Sequence, residues 1–311
     1  MRVVFFGTSA FAVPSLDQLV ASGYEVVAVV TQPDSFQGRG KKVLPHPIKE
    51  LAMRHGLNIY QFDTIKEAEA IKKISLYKAD LIVVVSYGQI IPEALLQLPL
   101  YGCINVHASL LPKYRGAAPI RRALMAGEDI TGVSIMKMDQ GLDTGDVLMQ
   151  ETMCINEEID HGELEGSLSK LGARSLVKTI ELLKQGLLSQ IKQNDDEATY
   201  ARKLQRGDES VNWKLDVKAI HNQIRAMSPV PGAYTNIQGQ AVKIFRAKVK
   251  DTEGHGTPGQ LLAVTPAGLL IQTGQGRLEI LEMQKPGKRR MKALECWQGM
   301  RLQPGIVFTE S

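Results

Sequence analysis

An asparagine and a histidine, Asn105 and His107, lie two residues apart at the end of an apolar run. Side chains alternate between the two faces of a strand, so a strand over residues 102–106 would direct both toward the same side at its carboxyl end. Open α/β sheets bind their ligands at that edge. An amide beside an imidazole can donate hydrogen bonds to an oxygen that gains negative charge during a reaction. A structural turn carrying two polar side chains fits the same residues, and the spacing alone leaves both interpretations open.

A second polar segment, residues 138–146, contains three aspartates and two glycines: Asp139, Asp143, Asp146, Gly141 and Gly145. Such a segment between two predicted strands is typical of a solvated turn with side-chain to backbone hydrogen bonds. Alternatively, one carboxylate faces the cleft, where it orients a histidine or accepts a proton. The sequence has no serine or cysteine in a nucleophile elbow. Direct transfer to a substrate amine, without a covalent enzyme intermediate, is therefore the simplest chemistry for these residues.

Several other kinds of chemistry lack their motifs. The first predicted strand-to-helix turn, residues 7–12, lacks the second and third glycines of a dinucleotide-binding loop, and no phosphate-binding P-loop is present. None of the six histidines is spaced three or four residues from another, and the cysteines Cys103, Cys154 and Cys296 form no C-x-x-C pair. We therefore expect no metal, and hydride-transfer and ATP-driven enzymes lose most of their support.

Nothing in the sequence predicts a membrane or an oxidising compartment. The first seven residues do not resemble a signal peptide, and the longest apolar runs, such as 81–85, are far shorter than the ~20 residues of a membrane span. Three scattered cysteines do not form a disulfide framework. We expect a cytoplasmic protein without a membrane partner, and we expect a monomer.

The elements that would position these residues alternate between strands and helices. Compact apolar strands are predicted at 2–6, 25–31, 57–60, 81–85 and 102–106, with helical periodicity between the first four. Continuous apolar strands joined by helices are typical of a parallel sheet covered on both faces. The prediction is an α/β fold with a Rossmann-like, doubly wound parallel sheet. A further helix at 115–126, two added strands at 131–138 and 147–155, and a long helix at 162–185 complete this part.

The remainder of the chain has a different texture, and 311 residues exceed what one core usually holds. We expect a catalytic domain at residues 1–190, a polar linker at 191–206 and a second domain at 207–311. One helix at 217–227 and short strands between glycine-rich turns predict a small OB-like β-barrel for the second domain. The predicted strands are 211–213, 241–249, 260–264, 268–273 and 277–281.

Positive charge is unevenly distributed along the chain. The formal net charge is +4, but residues 1–200 carry 20 Lys and Arg against 24 Asp and Glu, whereas residues 201–311 carry 17 against 9. A basic second domain favours an anionic partner. The long connection 32–47 also carries Arg39, Lys41 and Lys42 among glycines, which suits contacts with nucleic-acid phosphates. We expect its segment 35–44 to be exposed and mobile without RNA.

Two motifs resemble the signature of the folate-dependent formyltransferases. Residues 105–120 read N-V-H-A-S-L-L-P-K-Y-R-G-A-A-P-I, and residues 138–146 read M-D-Q-G-L-D-T-G-D. The segment 32–42 resembles a loop inserted in the family members that formylate methionine on initiator tRNA. Residues 198–203, 224–226 and 229–233 also resemble those members, so the resemblance covers essentially the whole chain.

The resemblance implies roles for individual residues. Asn105 and His107 would bind the formyl oxygen as it becomes an oxyanion, and Asp143 would orient His107 and help to remove the proton of the attacking amine. The formyl donor would be 10-formyltetrahydrofolate, a co-substrate, and the partner would be initiator methionyl-tRNA. Arg39, Lys41 and Lys42 would contact this tRNA. The residues implied for the folate site are Ser109, Leu110, Leu111, Pro112, Tyr87 and Gly88.

Three alternatives remain beside this interpretation. A formyltransferase acting on an amino-sugar nucleotide resembles this chain in both catalytic motifs, and a glycinamide ribonucleotide formyltransferase is a weaker match because that class usually lacks the second domain. A non-catalytic RNA-binding protein would need none of Asn105, His107 and Asp143. The sequence also departs from the family pattern: Ser35 and Phe36 replace an Arg-Pro pair, and Val230 replaces a common tryptophan.

Overall fold

A seven-stranded sheet holds the two polar motifs. The computed structural model describes residues 1–37, 42–300 and 303–310. In this sheet the strand order is β5-β2-β1-β6-β7-β8-β9. Neighbours from β5 to β7 pair in parallel, and β8 runs antiparallel to β7. The strands are β1 (Arg2–Gly7), β2 (Glu25–Thr31), β5 (Ile59–Gln61), β6 (Leu81–Val85), β7 (Cys103–His107), β8 (Ile130–Lys137) and β9 (Val147–Cys154). The predicted Rossmann-like sheet is confirmed in this form, a mixed sheet with a parallel centre.

The central strands are apolar along their whole length because both faces of the sheet are covered. Every residue of β6 is buried, and so are all residues of β1 after Arg2 and all of β2 after Glu25, except Gly7, which is buried with them at the strand end. Six helices accompany this part of the chain: α1 (Val13–Ala21), α2 (Pro47–Arg54), α3 (Ala68–Ser75), α4 (Glu93–Leu96), α5 (Pro119–Ala126) and α6 (His161–Gln185). The long connection after β2 contains a short hairpin, β3 (Ser35–Gln37) with β4 (Lys42–Leu44).

A separate antiparallel sheet forms most of the remaining chain. Its order is β10-β11-β14-β13-β12, with β15 paired to β14. The elements are α7 (Val217–Met227), β10 (Ala233–Ile237), β11 (Gln240–Asp251), β12 (Leu261–Val264), β13 (Leu269–Gln272), β14 (Arg277–Gln284), β15 (Met291–Lys292) and α8 (Ala293–Met300). Near the C-terminus, Val307 bridges to Gln260 and Thr309 bridges to Asn236. Within the described residues β10 and β12 do not pair directly, so the strand ladders do not close into a barrel.

The chain folds into two compact units that are each discontinuous in sequence. One comprises Met1–Gly116, Ile130–Met153 and Glu165–Ala201, and the other comprises Ala117–Asp129, Cys154–Leu164 and Arg202–Ser311. The last change between units, after Ala201, falls inside the segment 191–206 that was expected to be a linker. No described helix is both long and apolar enough to cross a membrane.

Two predicted elements are corrected. The helix expected over 115–126 begins only at Pro119, because residues 108–118 form an irregular loop and a proline is favoured in the first helical turn. The strand expected over 211–213 is absent: Ser210 makes one isolated bridge to Tyr234, and Trp213 lies buried with its indole N–H donating to Thr235 Oγ1 at 2.9 Å. The helix predicted at 217–227 is confirmed with its bounds.

Candidate active site

Asn105 and His107 lie at the carboxyl end of β7, between the parallel strand β6 and the antiparallel strand β8. In the strand register Asn105 stands opposite Val84 and Met136, and His107 stands opposite Ser134. Two residues apart on one strand, both side chains project from the same face of the sheet. His107 is 6% exposed, whereas Asn105 is partly exposed between two buried neighbours. The predicted pair is therefore formed by a strand with a rigid backbone.

The two ring nitrogens of His107 have different partners. Nε2 lies 2.9 Å from the carbonyl oxygen of Tyr114, and because a carbonyl only accepts, Nε2 carries a proton and donates it. Nδ1 lies 3.6 Å from Asp143 Oδ2, too long for a hydrogen bond but within reach of an ion pair. Nδ1 is therefore the ring atom at which a proton is exchanged, and a carboxylate faces it. The structure brings His107 and Asp143 together as the resemblance implied.

Asp143 is held in place by its own loop and by a neighbouring turn. The backbone N–H of Gly116 donates to Asp143 Oδ2 at 2.8 Å. Asp143 has a φ of +56°, a left-handed conformation that aspartate adopts more readily than most residues. Two positions later, a side chain on Gly145 would place its Cβ 1.8 Å from the carbonyl oxygen of Lys137. The close passage of these two backbones therefore requires glycine at 145.

The position of Asp143 also depends on the path of its loop. The loop begins after Lys137, which stands opposite Ile104 on β7, three residues before His107. At ~3.3 Å per residue, that level is about 10 Å from His107. The segment 138–146 must therefore run back along β7 to bring its carboxylate to the imidazole, and this reversal cannot be read from the motif.

The loop after β7 is fixed by a hydrogen-bonded group around Ser134. The Ser134 hydroxyl donates to the carbonyl of Ser109 at 2.7 Å and accepts from the N–H of Leu111 at 3.0 Å. Gln150 donates to the carbonyl of Leu111 at 2.9 Å. The side chains of Ser109 and Leu111 are buried, whereas Leu110 and Pro112 are partly exposed. Within this part of the predicted folate site, Leu110 and Pro112 are the members with accessible side chains.

Tyr87 belongs to the core rather than to an open pocket. Its ring is 2% exposed and packs edge-on against Phe6 with 5.1 Å between centroids. Burial raises the pKa of Tyr87 to about 12. Its carbonyl oxygen accepts hydrogen bonds from Thr8 Oγ1 at 2.9 Å and from Gln32 Nε2 at 3.2 Å, and Gly88 follows with a φ of +93°. A folate contact at this position would fall to the backbone or to neighbouring residues.

The basic residues of the long connection fall outside the description. Arg39 and Lys41 lie among the residues that the structure does not describe, and Lys42 begins β4 with its side chain undescribed. The base of the connection is well defined. Lys49 Nζ lies 2.5 Å from Asp34 Oδ2, and Gln61 Nε2 donates to Asp34 Oδ1 at 2.8 Å. The hydrogen bonds from these two residues hold the pKa of Asp34 below its usual range, so the carboxylate stays charged.

In the antiparallel sheet, one run of cations is exposed, and we refer to residues 288–290 as the basic cluster. Lys288 and Arg289 lie in the turn after β14, and the guanidinium of Arg290 lies 4.9 Å from the centre of the Phe245 ring. Arg290 also forms an ion pair with Glu282. Other cations of this sheet are near acidic partners, such as Lys250, whose Nζ is 3.3 Å from Glu279. Among the described residues, no group of three His, Cys, Asp or Glu side chains is placed to hold a metal ion.

Sequence reasoning missed the residues that support Asp143 from behind. Arg115, which is 2% exposed, donates from Nε and Nη2 to Gln193 Oε1 at 3.0 and 2.9 Å. Gln193 in turn donates to the carbonyl oxygens of Asp143 and Gly145 at 2.8 and 2.7 Å. Arg115 lies inside the first motif, which could have marked it. Gln193 had no signal, because it stands in a polar segment that is typical of a linker.

Two family models match the sequence and together span most of the chain. Residues 1–180 match the family described as formyl transferase, and residues 203–301 match formyl transferase, C-terminal domain. Methionyl-tRNA formyltransferase from Syntrophomonas wolfei is 50% identical over 309 residues, 99% of this chain and 98% of that protein. The protein of the same name from Alkaliphilus metalliredigens is 46% identical over 310 residues, covering 100% of this chain and 99% of that protein.

Solved structures share the fold. The N-formyltransferase from Helicobacter canadensis, in complex with folinic acid and dTDP-3-aminofucose, gives a TM-score of 0.67 at 20% identity and covers 92% of this chain and 99% of that chain. HypX from Aquifex aeolicus in complex with tetrahydrofolic acid gives a TM-score of 0.64 at 19% identity, covering 96% of this chain and 47% of that chain. At these identities the similarity concerns the fold alone.

Proposed function

The chain belongs to the formyl transferase family, and from this premise we propose that it transfers a formyl group from 10-formyltetrahydrofolate to the α-amino group of methionine on initiator tRNA. The resemblance in the two motifs is confirmed, and it extends to relatives of that activity along nearly the whole chain. This full-length similarity is the observation that carries the proposal. The reaction provides formylmethionyl-tRNA for translation initiation, which supports a cytoplasmic location.

In the proposed reaction the methionine amine attacks the formyl carbon. A carbon–nitrogen bond forms to the amine, the formyl oxygen becomes an oxyanion, and the bond to the folate nitrogen then breaks. The partly exposed amide of Asn105 donates to this oxygen. The proton lost by the amine is taken up by the His107 and Asp143 pair and is then available to the folate nitrogen, so that tetrahydrofolate leaves neutral there.

The contacts of His107 define its part in this reaction. Because Nε2 donates to Tyr114, the ring orientation is set, and the proton exchanged during transfer resides at Nδ1. The Asp143 carboxylate at 3.6 Å stabilises the imidazolium that forms when Nδ1 takes up this proton. The charged ring then stabilises the oxyanion electrostatically beside Asn105. Leu110 and Pro112 supply accessible apolar surface for the folate.

We assign tRNA binding to cations of both parts of the chain. The basic cluster is exposed on the antiparallel sheet, and Arg39, Lys41 and Lys42 extend the positive charge on the long connection. Cations of this kind contact phosphates and fix the register of the nucleic acid, without reading bases. We retain residues 1–190 as the catalytic domain and 207–311 as an OB-like tRNA-binding domain in a monomeric enzyme. The bridges of Val307 and Thr309 to the two edges of the antiparallel sheet support the barrel-like arrangement.

Three acceptors distinguish the proposal from its alternatives. The purified protein is incubated with 10-formyltetrahydrofolate and either initiator methionyl-tRNA, elongator methionyl-tRNA or a dTDP-linked amino sugar, and formylated product is quantified. We expect rapid formylation of the initiator tRNA and much slower reaction of the other two. Formylation of the sugar nucleotide alone would contradict the proposal, and no turnover with any acceptor would favour a binding protein.

A further inference from the structure

The catalytic pair rests on a three-residue turn, Tyr114 to Gly116. The Tyr114 carbonyl accepts from His107 Nε2, and the Gly116 N–H donates to Asp143 Oδ2. Both contacts depend on the position of this one turn. Its backbone is unusual, since Tyr114 has a φ of +61° and Gly116 a φ of +118°. A left-handed conformation is costly for a bulky residue such as tyrosine and persists only where the surroundings enforce it.

The surroundings that enforce this turn come from the segment 193–201. The N–H of Tyr114 donates to Thr199 Oγ1 at 2.8 Å, and the N–H of Arg115 donates to the Thr199 carbonyl at 2.8 Å. The N–H of Ala201 donates back to the Arg115 carbonyl at 2.7 Å. Three hydrogen bonds therefore fix three consecutive residues whose nearest partners are some eighty residues away in sequence.

The Arg115 side chain extends the same arrangement to the Asp143 loop. A buried guanidinium needs hydrogen-bond partners, and here both of the donors directed at Gln193 meet its Oε1. The two hydrogens of the Gln193 amide are directed at the carbonyls of Asp143 and Gly145. Every hydrogen-bonding group of the Gln193 side chain is thus engaged. Gln193 is 8% exposed, so water cannot readily replace these contacts.

We propose that Arg115 and Gln193 are positioning residues of the active site, and that the segment 193–201 is a working part of the catalytic centre rather than a linker. Arg115 and Gln193 touch no reacting atom. They set the distance between His107 Nδ1 and Asp143 by holding the turn on one side and the Asp143 loop on the other. This proposal rests on the proposed function, because it concerns the rate of that reaction.

The substitution Gln193→Glu separates positioning from general support. A carboxylate at 193 still accepts both donors of Arg115, and as an ion pair it holds Arg115 at least as firmly. It has no hydrogens for the carbonyls of Asp143 and Gly145, and its charge repels them. We expect kcat for formylation to fall about 10–100-fold, since a displacement of about 1 Å is worth up to ~10²-fold. KM for both substrates and the melting temperature should remain close to those of the unchanged enzyme.

Asp195→Asn is the matched control. Asp195 contacts the same guanidinium at 2.8 Å but is 81% exposed, and exposed ion pairs contribute little. Its kcat should stay within about twofold of the unchanged enzyme. Arg115→Lys is a second variant, which keeps the charge but loses the fork that meets Gln193. We expect it to lower kcat as Gln193→Glu does.

A readout without the acceptor keeps this inference separate from the proposed function. In ¹⁵N-histidine-labelled protein, the imidazole signals of His107, assigned from the spectrum of His107→Ala, report the surroundings of Nδ1. We expect them to shift in Gln193→Glu and to stay unchanged in Asp195→Asn, whichever acceptor is formylated. Unchanged His107 signals together with unchanged kcat in folded Gln193→Glu and Arg115→Lys would overturn the inference. A shift in an enzyme that does not formylate methionyl-tRNA would support the positioning and reject the proposed function.

Discussion

Replacing Asp143 by asparagine should remove the charge that faces His107 while leaving the fold intact. The side chains have nearly the same shape, and the asparagine carbonyl can still accept from the Gly116 N–H, which lies 2.8 Å from Oδ2. The loop should therefore keep its path. We expect the melting temperature of Asp143→Asn to change by no more than a few degrees.

The cost in rate follows from the 3.6 Å between His107 Nδ1 and Asp143 Oδ2. Two unit charges at that distance, in an effective dielectric of about 20, attract each other by about 4–5 kcal/mol. This attraction exists only when the imidazole is charged, which in the proposed reaction is during proton transfer. Losing it corresponds to roughly a 10³-fold lower rate, within the 10²–10⁴-fold range of one acid–base contribution. KM for folate and for tRNA should change little.

Single-turnover formylation, with enzyme in excess over initiator methionyl-tRNA and saturating donor, measures this step directly. Asp146→Asn is the matched control, because it removes a carboxylate from the same loop without touching His107, and it should keep nearly full activity. His107→Ala should lose a similar factor, and His107→Ala with Asp143→Asn should lose little more than either alone, since the two act as one unit. A folded Asp143→Asn enzyme within about tenfold of the unchanged rate would refute the reasoning.

Three further changes test other parts of the structure. In Gly116→Ala, the new Cβ would lie 2.9 Å from the Ala201 carbonyl oxygen at a φ of +118°, so we expect lower stability in urea unfolding and a lower kcat; unchanged kcat would contradict the role of this turn. Burial, with the charge of Arg121, lowers the pKa of His161 to about 3, so below pH ~6.5 the unfolded chain binds a proton that the folded one does not, and stability should be about 1.4 kcal/mol lower at pH 5.5 than at pH 8; His161→Gln should lose this dependence, and an equal dependence would reject it. Neutralising the basic cluster to alanine should raise KM for tRNA and reduce the slope of log affinity against log salt by up to about 3, with kcat retained at saturating tRNA; an unchanged slope would exclude the cluster as a phosphate contact.

The sequence alone determined most of the local structure and the identity of the reacting groups. Continuous apolar runs specify strands buried on both faces, and β2, β6 and α7 appear where the patterns predict them. The spacing of Asn105 and His107 is enough to place both on one face, because the alternation of a strand is a local property. The motif resemblance pointed to Asp143 among three aspartates of one loop.

The tertiary structure decided how these groups meet, because the contacts that matter join distant parts of the chain. Asp143 reaches His107 only because its loop reverses along β7, which depends on the register between β7 and β8. Tyr87, in a segment implied to line the folate pocket, turns its ring into the core instead. Gln193 lies 78 residues from Arg115 in a segment whose composition predicts a linker, and burial alone makes its hydrogen bonds consequential. Local pattern records which residues can do chemistry, and only packing over such separations sets the distances at which they do it.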